Sequence, residues 1–209
     1  MKLVAPLIVL LFASSCVAGS IPQSDNDAFQ LGVLYQRALT ELLPIEAGSH
    51  LGFRYEPFAS ANAKTEYSCN FELELLGHER KEGSYRLHAT LRVPKEPGLL
   101  GQLGSLLKSQ PRQPPESLFG AVSIQRYDLS EETCPAIKTA HEEFFRATSG
   151  STLFDLKKGP RTWMDGDRVY IDGYANEIFF TISVKQGNPL FAWAAETRLA
   201  LDACIHAQE

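Results

Sequence analysis

The clearest pattern along the chain is a pair of alternating runs. Tyr67, Cys69, Phe71, Leu73 and Leu75 interleave with Asn70, Glu72 and Glu74. After a polar stretch from His78 to Gly83, Tyr85, Leu87, Ala89, Leu91 and Val93 interleave with Arg86, His88 and Arg92. A period of two places one set on a buried sheet face and the other on a polar face, so the runs predict a β-hairpin. Acids pointing outward on the first strand stand opposite bases on the second, at roughly 0.2–1 kcal/mol per pair. Cys69 falls in the inward set and reads as a buried thiol. Leu51, Phe53 and Tyr55 alternate with Gly52, Arg54 and Glu56, which predicts one more half-buried strand ahead of the hairpin.

Helical spacing brackets these strands. Leu31, Leu34, Tyr35, Ala38 and Leu42 form one stripe, with Asp25 or Asp27 as cap and Pro44 as stop. A second helix is expected to open at Ser130-Glu131-Glu132, with Pro135 in its first turn and Cys134, Ile137, His141 and Phe144 on its apolar side. His141 reads as a partly buried helix residue. The last helix starts at Asn188-Pro189 and buries Leu190, Ala194, Thr197, Leu201 and Cys204, with Trp193 beside them. Further strands are expected near residues 119–127, 168–171 and 178–184, the last two joined by Asp172-Gly173-Tyr174-Ala175. Residues 94–116 break the pattern. Leu99, Leu100, Leu103, Leu106 and Leu107 are spaced for a helix, but Gly98, Gly101 and Gly104 weaken one by about 1 kcal/mol each. The expectation there is an irregular insertion with at most one short amphipathic helix, serving as a crossover loop or, alternatively, as a partner-binding flap. The whole predicts an α+β fold, an antiparallel sheet with helices packed on one face, in one domain from residue 20 to 209.

The first nineteen residues follow a different logic. Lys2 precedes the apolar run Leu3–Phe12, and small residues follow to Gly19. Basic start, short apolar core and small-residue exit describe a secretory signal peptide. Such a run rises about 15 Å as a helix, half of a bilayer core, too short for a spanning anchor. The expected location is therefore outside the cytosol. There, one disulfide among Cys69, Cys134 and Cys204 is expected, with one cysteine left over. Cys134 opens one helix and Cys204 closes another, so two helices packed antiparallel on a sheet would bring these two together. The loop so closed stabilises by roughly 2–4 kcal/mol.

Composition and motif spacing narrow the chemistry. The chain has 44% hydrophobic and 10% aromatic residues, a globular composition, and a net charge of −5. With no dense Lys/Arg cluster beyond Lys157-Lys158-Gly159-Pro160-Arg161, a nucleic-acid partner is not expected. No Gly-x-Ser-x-Gly elbow occurs. His141-Glu142-Glu143 lacks the second histidine of a zinc helix, and Asp165-Gly166-Asp167 lacks calcium-loop spacing. Glu72, Glu74 and His88 share the polar face of the hairpin, where acid–base work and simple solvation are both served. No catalytic residue, metal ligand or cofactor is predicted. Large amphipathic side chains that dominate interfaces are present, and they point to a protein partner. The candidates are Arg86, His88 and Arg92 on the sheet, Trp163 and Met164 in a loop, and Tyr170 and Tyr174 near the second hairpin.

Ala13-Ser14-Ser15-Cys16 resembles the lipobox of bacterial lipoproteins, with Ala13 where that motif usually has leucine. The resemblance implies lipidation of Cys16 and a membrane attachment; ordinary cleavage after Ala18 or Gly19 is the other reading. Together with Asp172-Gly173 and the closing Pro189–Cys204 helix, this segment resembles small exported lipoproteins, some of which are immunity proteins against toxins delivered by secretion systems. What the resemblance implies is a periplasmic inhibitor of an antibacterial toxin, such as a cell-wall hydrolase or lipase, that does not itself turn over substrate. A periplasmic binding or assembly factor and an unrecognised hydrolase are the alternatives. If Cys16 is lipidated, an alkyne-tagged fatty acid fed to cells will label the wild-type chain and not Cys16→Ala; equal labelling of both, or of neither, rejects the modification.

Overall fold

The alternating runs become strands of one sheet. The computed structural model describes residues 23–57, 65–75, 85–110, 113–149, 166–175 and 178–208. In chain order the elements are α1 (Gln23–Leu42), β1 (Leu51–Glu56), β2 (Tyr67–Leu75), β3 (Tyr85–Pro94) and α2 (Gly98–Ser109). A 3-10 turn (Pro115–Ala121), β4 (Ile124–Ser130), α3 (Ala136–Ser149), β5 (Arg168–Ala175), β6 (Ile178–Lys185) and α4 (Pro189–His206) follow. The six strands are ordered β4-β3-β2-β1-β5-β6, and every neighbouring pair is antiparallel. The fold is α+β.

Residues of odd number in β1, β2 and β3 form the core face: Leu51, Phe53, Cys69, Phe71, Ala89 and Leu91 are all sealed from solvent. Helices α3 and α4 cover that face. Trp193 of α4 wedges between them, its indole N–H donating to the carbonyl of Ala140 at 2.8 Å and its ring standing 4.9 Å from Phe53 and 5.0 Å from Phe144. The two helices run antiparallel, and the expected bridge closes their far ends: Cys134 and Cys204 are disulfide-bonded, with Cα atoms 5.5 Å apart. Cys69 is the free cysteine among the described residues, and burial pushes its thiol well above the usual range. Asn188 caps α4 by accepting the N–H of Leu190 at 2.9 Å.

The other helices form a separate cluster. Leu34, Leu39 and Leu43 of α1 and its exit pack against Leu99 and Leu103 of α2 and Leu118 of the 3-10 turn, with Ile124 at the start of β4 against them. This cluster sits at the end of the sheet where β2 begins and β3 ends. Glu66, just ahead of β2 and 4% exposed, fastens it: one carboxylate oxygen accepts the Tyr35 hydroxyl at 2.9 Å, the other the Leu99 N–H at 3.1 Å. Gly98, at φ +83°, turns the chain so that the first free N–H of α2 meets this anion. That contact and the burial of Leu99 and Leu103 explain why residues expected to be irregular form a twelve-residue helix despite their glycines.

Other boundaries also moved. α1 begins at Gln23, so Asp25 and Asp27 lie inside it and not ahead of it. The strand expected from Phe119 is instead the 3-10 turn followed by β4, because Leu118 and Phe119 are drawn into the second cluster. Helix α3 starts at Ala136; Ser130 ends β4, and Cys134 lies in the turn between them. Asp172-Gly173-Tyr174-Ala175 is strand and not turn. Gly173 is there for space, since a Cβ at that position would stand 2.5 Å from the Phe180 ring across the pair. No described helix is long and apolar enough to cross a membrane.

Replacing Glu66 by Gln sets an amide N–H₂ against one of two donors. The expected loss of stability is about 2 kcal/mol, read as a lowered urea midpoint with unchanged slope. Tyr35→Phe costs about half of that, and in the double variant the two effects do not add.

Candidate partner-binding surface

The polar face of the sheet is uneven. After α1 the chain returns across it, held by Asn70, which accepts the N–H of Glu46 at 2.9 Å and donates to the carbonyl of Pro44 at 3.2 Å. This places the Glu46 carboxylate on Arg92, whose side chain is 13% exposed. Next to it, Asp128 accepts the Thr90 hydroxyl at 2.8 Å and pairs with Arg126 at 3.0 Å. On the other side of β2, Arg54 pairs with Glu56 at 2.8 Å and lies over the Tyr170 ring, 5.4 Å from its centre. Arg92 and Tyr170, both expected to contact a partner, are thus taken up by contacts within the fold.

The picture reverses at one end of the sheet. β1 begins at Leu51, paired with Phe71 and Gly173, while β2 and β3 run on to Leu75 and Tyr85, and β5 and β6 to Ala175 and Ile178. Two hairpin arms therefore project past β1, separated by two strand spacings, about 10 Å. His50 is the floor between them. Its N–H donates to the carbonyl of Phe71 at 2.9 Å, and its own carbonyl accepts the N–H of Tyr174 at 3.0 Å.

These arms carry the exposed apolar side chains of the sheet. Phe179 is 65% exposed, Tyr174 48%, Tyr85 47% and Leu73 39%. Tyr174 and Phe179 are direct cross-strand partners on the polar face, and Leu73 and Tyr85 stand on the opposite face of the other arm. Charge frames them: Arg86, 36% exposed, pairs with Glu132 at 2.8 Å, and His88 Nε2 lies 2.8 Å from Glu74. Surface pairs of this kind contribute little to folding and remain available to a partner. So Arg86, His88 and Tyr174 share one end of the molecule, with Arg92 and Tyr170 deeper in the face. Trp163, Met164 and Cys16 lie outside the described residues. Phe179 escaped the sequence reading, although alternation in Ile178–Lys185 puts it alone among Thr181, Ser183 and Lys185.

Beneath the floor lies a histidine pair. The His50 ring stands 5.1 Å from that of His141 on α3, and both pack against Phe145. Burial lowers both imidazoles, His141 to about 4 with His50 as a second cause. Among the described residues no group of three or more His, Cys, Asp or Glu is placed to hold a metal ion. A second apolar strip, a shallow depression along α1, is lined by Phe29, Gly32, Val33, Gln36 and Arg37. Compared with protein-family models, with curated proteins and with solved structures, the chain matches none.

The two arginines expected to act alike separate by burial. Arg92→Ala leaves the partly exposed Glu46 without its partner and costs about 1–2 kcal/mol of unfolding free energy. Arg86→Ala costs under about 1 kcal/mol. Chemical denaturation of the two variants checks the ranking.

Proposed function

We propose that this chain is an exported, envelope-localised inhibitor of the immunity kind, which binds an antibacterial toxin through the two hairpin arms and blocks its active cleft. One observation carries the reading: the exposed apolar side chains of the sheet gather at a single end, framed by Arg86, His88 and Glu74. Exposed apolar side chains beside solvent-exposed charges, gathered at one end, are the composition of a docking site. The arms extend from a six-stranded sheet backed by α3, so little ordering is left to do on binding, and that favours affinity. Inhibition by this route is steric and needs no reacting group on the chain. A periplasmic assembly factor is the second reading, favoured by the apolar strip at Phe29 and Val33 on α1, which lies away from the arms.

Affinity capture from membranes with the full chain, read by mass spectrometry, tests the proposal. One stoichiometric protein partner is expected. Tyr174→Ala combined with Phe179→Ala should weaken its binding about 30-fold, near 2 kcal/mol, without moving the melting temperature. Leu199→Ala, equally exposed on α4, should leave binding unchanged. Recovery of no stoichiometric protein, or capture unaffected by the double variant, rejects the reading.

A further inference from the structure

His50 occupies an unusual junction. Its backbone is hydrogen-bonded to β2 on one side and to β5 on the other, so the separation of the two arms is set at this residue. Its ring reaches the other way, into a cage made by His141 and Phe145 of α3. The His141 ring in turn lies 6.0 Å from Phe71 and 4.9 Å from Phe145. His141 Nε2 is sealed from solvent and has no hydrogen-bond partner.

The charged groups on the surrounding elements do not compensate. Glu46, in the segment leading to His50, is taken by Arg92; Glu72 and Glu74 of β2 and Asp172 of β5 belong to the polar face. On α3, Lys138, Glu142 and Arg146 are exposed and Glu143 is half-buried. Among the described residues no carboxylate is bonded to either ring. The cage is thus built for two neutral imidazoles. A proton on His141 is a charge beside the Phe71 and Phe145 rings with no described counterion, a proton on half-buried His50 loses part of its hydration, and protons on both repel.

We propose that the His50–His141 pair is a proton-operated latch on the docking end. Neutral, it clamps α3 to the floor between the arms; protonated, it releases α3 from His50 and lets the arms loosen, so that docking is lost in acid. The loosening follows from the cage alone, while its effect on binding rests on the docking role proposed above.

The direction is set by where each state takes up protons. Burial holds His141 at about 4 in the closed state, whereas an opened, hydrated imidazole titrates near 6.5. The closed state is therefore fully favoured above about pH 6.5 and loses ground as pH falls toward 4. Below that, both states are protonated and nothing more is lost.

Amide hydrogen exchange on the whole mature chain at pH 7.5 and 5.0, corrected for intrinsic rates, tests the latch. The N–H groups of His50 and Tyr174 should open at least tenfold more at pH 5.0, while that of Leu129 at the distant edge does not change. In His141→Phe the pH effect on these amides should fall at least threefold, and in the His50→Phe/His141→Phe double variant it should vanish. A proton-NMR titration of the wild type gives a second reading that does not depend on how the variants fold: His141 titrating far below 6 supports the latch. Constant wild-type protection, the same acid response in folded His141→Phe, or His141 titrating near 6.5 each overturns it. If the amides loosen in acid while affinity for the captured partner stays constant, the latch stands and the docking role of the arms fails.

Discussion

The Glu66 carboxylate joins two bodies of side chains that would otherwise share little. The α3–α4 core needs no such link, because it rests directly on the sheet and is closed by the Cys134–Cys204 bond. The α1–α2 cluster meets the sheet near one end, where Gln102 bonds the backbone of Lys95 and Ser123 and the buried Glu66 carboxylate accepts both the orphan N–H of α2 and the Tyr35 hydroxyl. Each of those donors would cost about 1–3 kcal/mol if left unpaired in the interior. The anion in turn depends on them, since a carboxylate this deep is held by its hydrogen bonds. A similar device ties the sheet at the same end, where the Tyr55 hydroxyl donates to buried Asp167 at 2.7 Å.

With that end fastened, the opposite end is free to carry exposed surface. The short β1 is what makes this possible. It stops where its neighbours continue, leaving two arms in place of a filled sheet margin, and His50 closes the gap between them with backbone bonds to both sides. Buried fastening and exposed surface are thereby separated along the strand direction. Buried hydrogen bonds and ion pairs hold the first end and the centre of the polar face, and apolar side chains with solvent-exposed charges occupy the second.

Much of this was legible in the chain. The β2–β3 hairpin, the inward set of Cys69, the cap at Asn188, the helical stripes and the disulfide pairing all follow from local periodicity or from placing cysteines at helix ends. The α2 helix was legible only in part: its leucine spacing allowed a short helix, but three glycines argue against one and the Glu66 contact that favours it spans thirty-three positions of sequence. Asp172-Gly173 misled for a related reason: a glycine demanded by a cross-strand ring looks identical to one demanded by a turn. Of the surface residues, Arg86 and His88 were legible as outward-facing from the alternation of the first hairpin, whereas Tyr174, expected in a turn, is exposed on a strand. Arg92 and Tyr170 were not separable from them, since Glu46 and Arg54 reach them only through the three-dimensional path of the chain. Phe179 was visible in the alternation of β6 but was outweighed by the apolar residues around it.

Among the described residues no strand pairs with the outer side of β4 or of β6, and these two margins are not alike. At β4 the margin holds Arg126 and Asp128, and the α2 cluster shields its start. At β6 the stretch Ile178–Val184 has no charged residue, no proline and no bulge in its pairing with β5. Edge strands of that composition are templates for adding a strand from another molecule. A concentrated or partly unfolded population therefore has a preferred route to polymers: growth from β6 outward, with Lys185 as the one charge on that strand to oppose it.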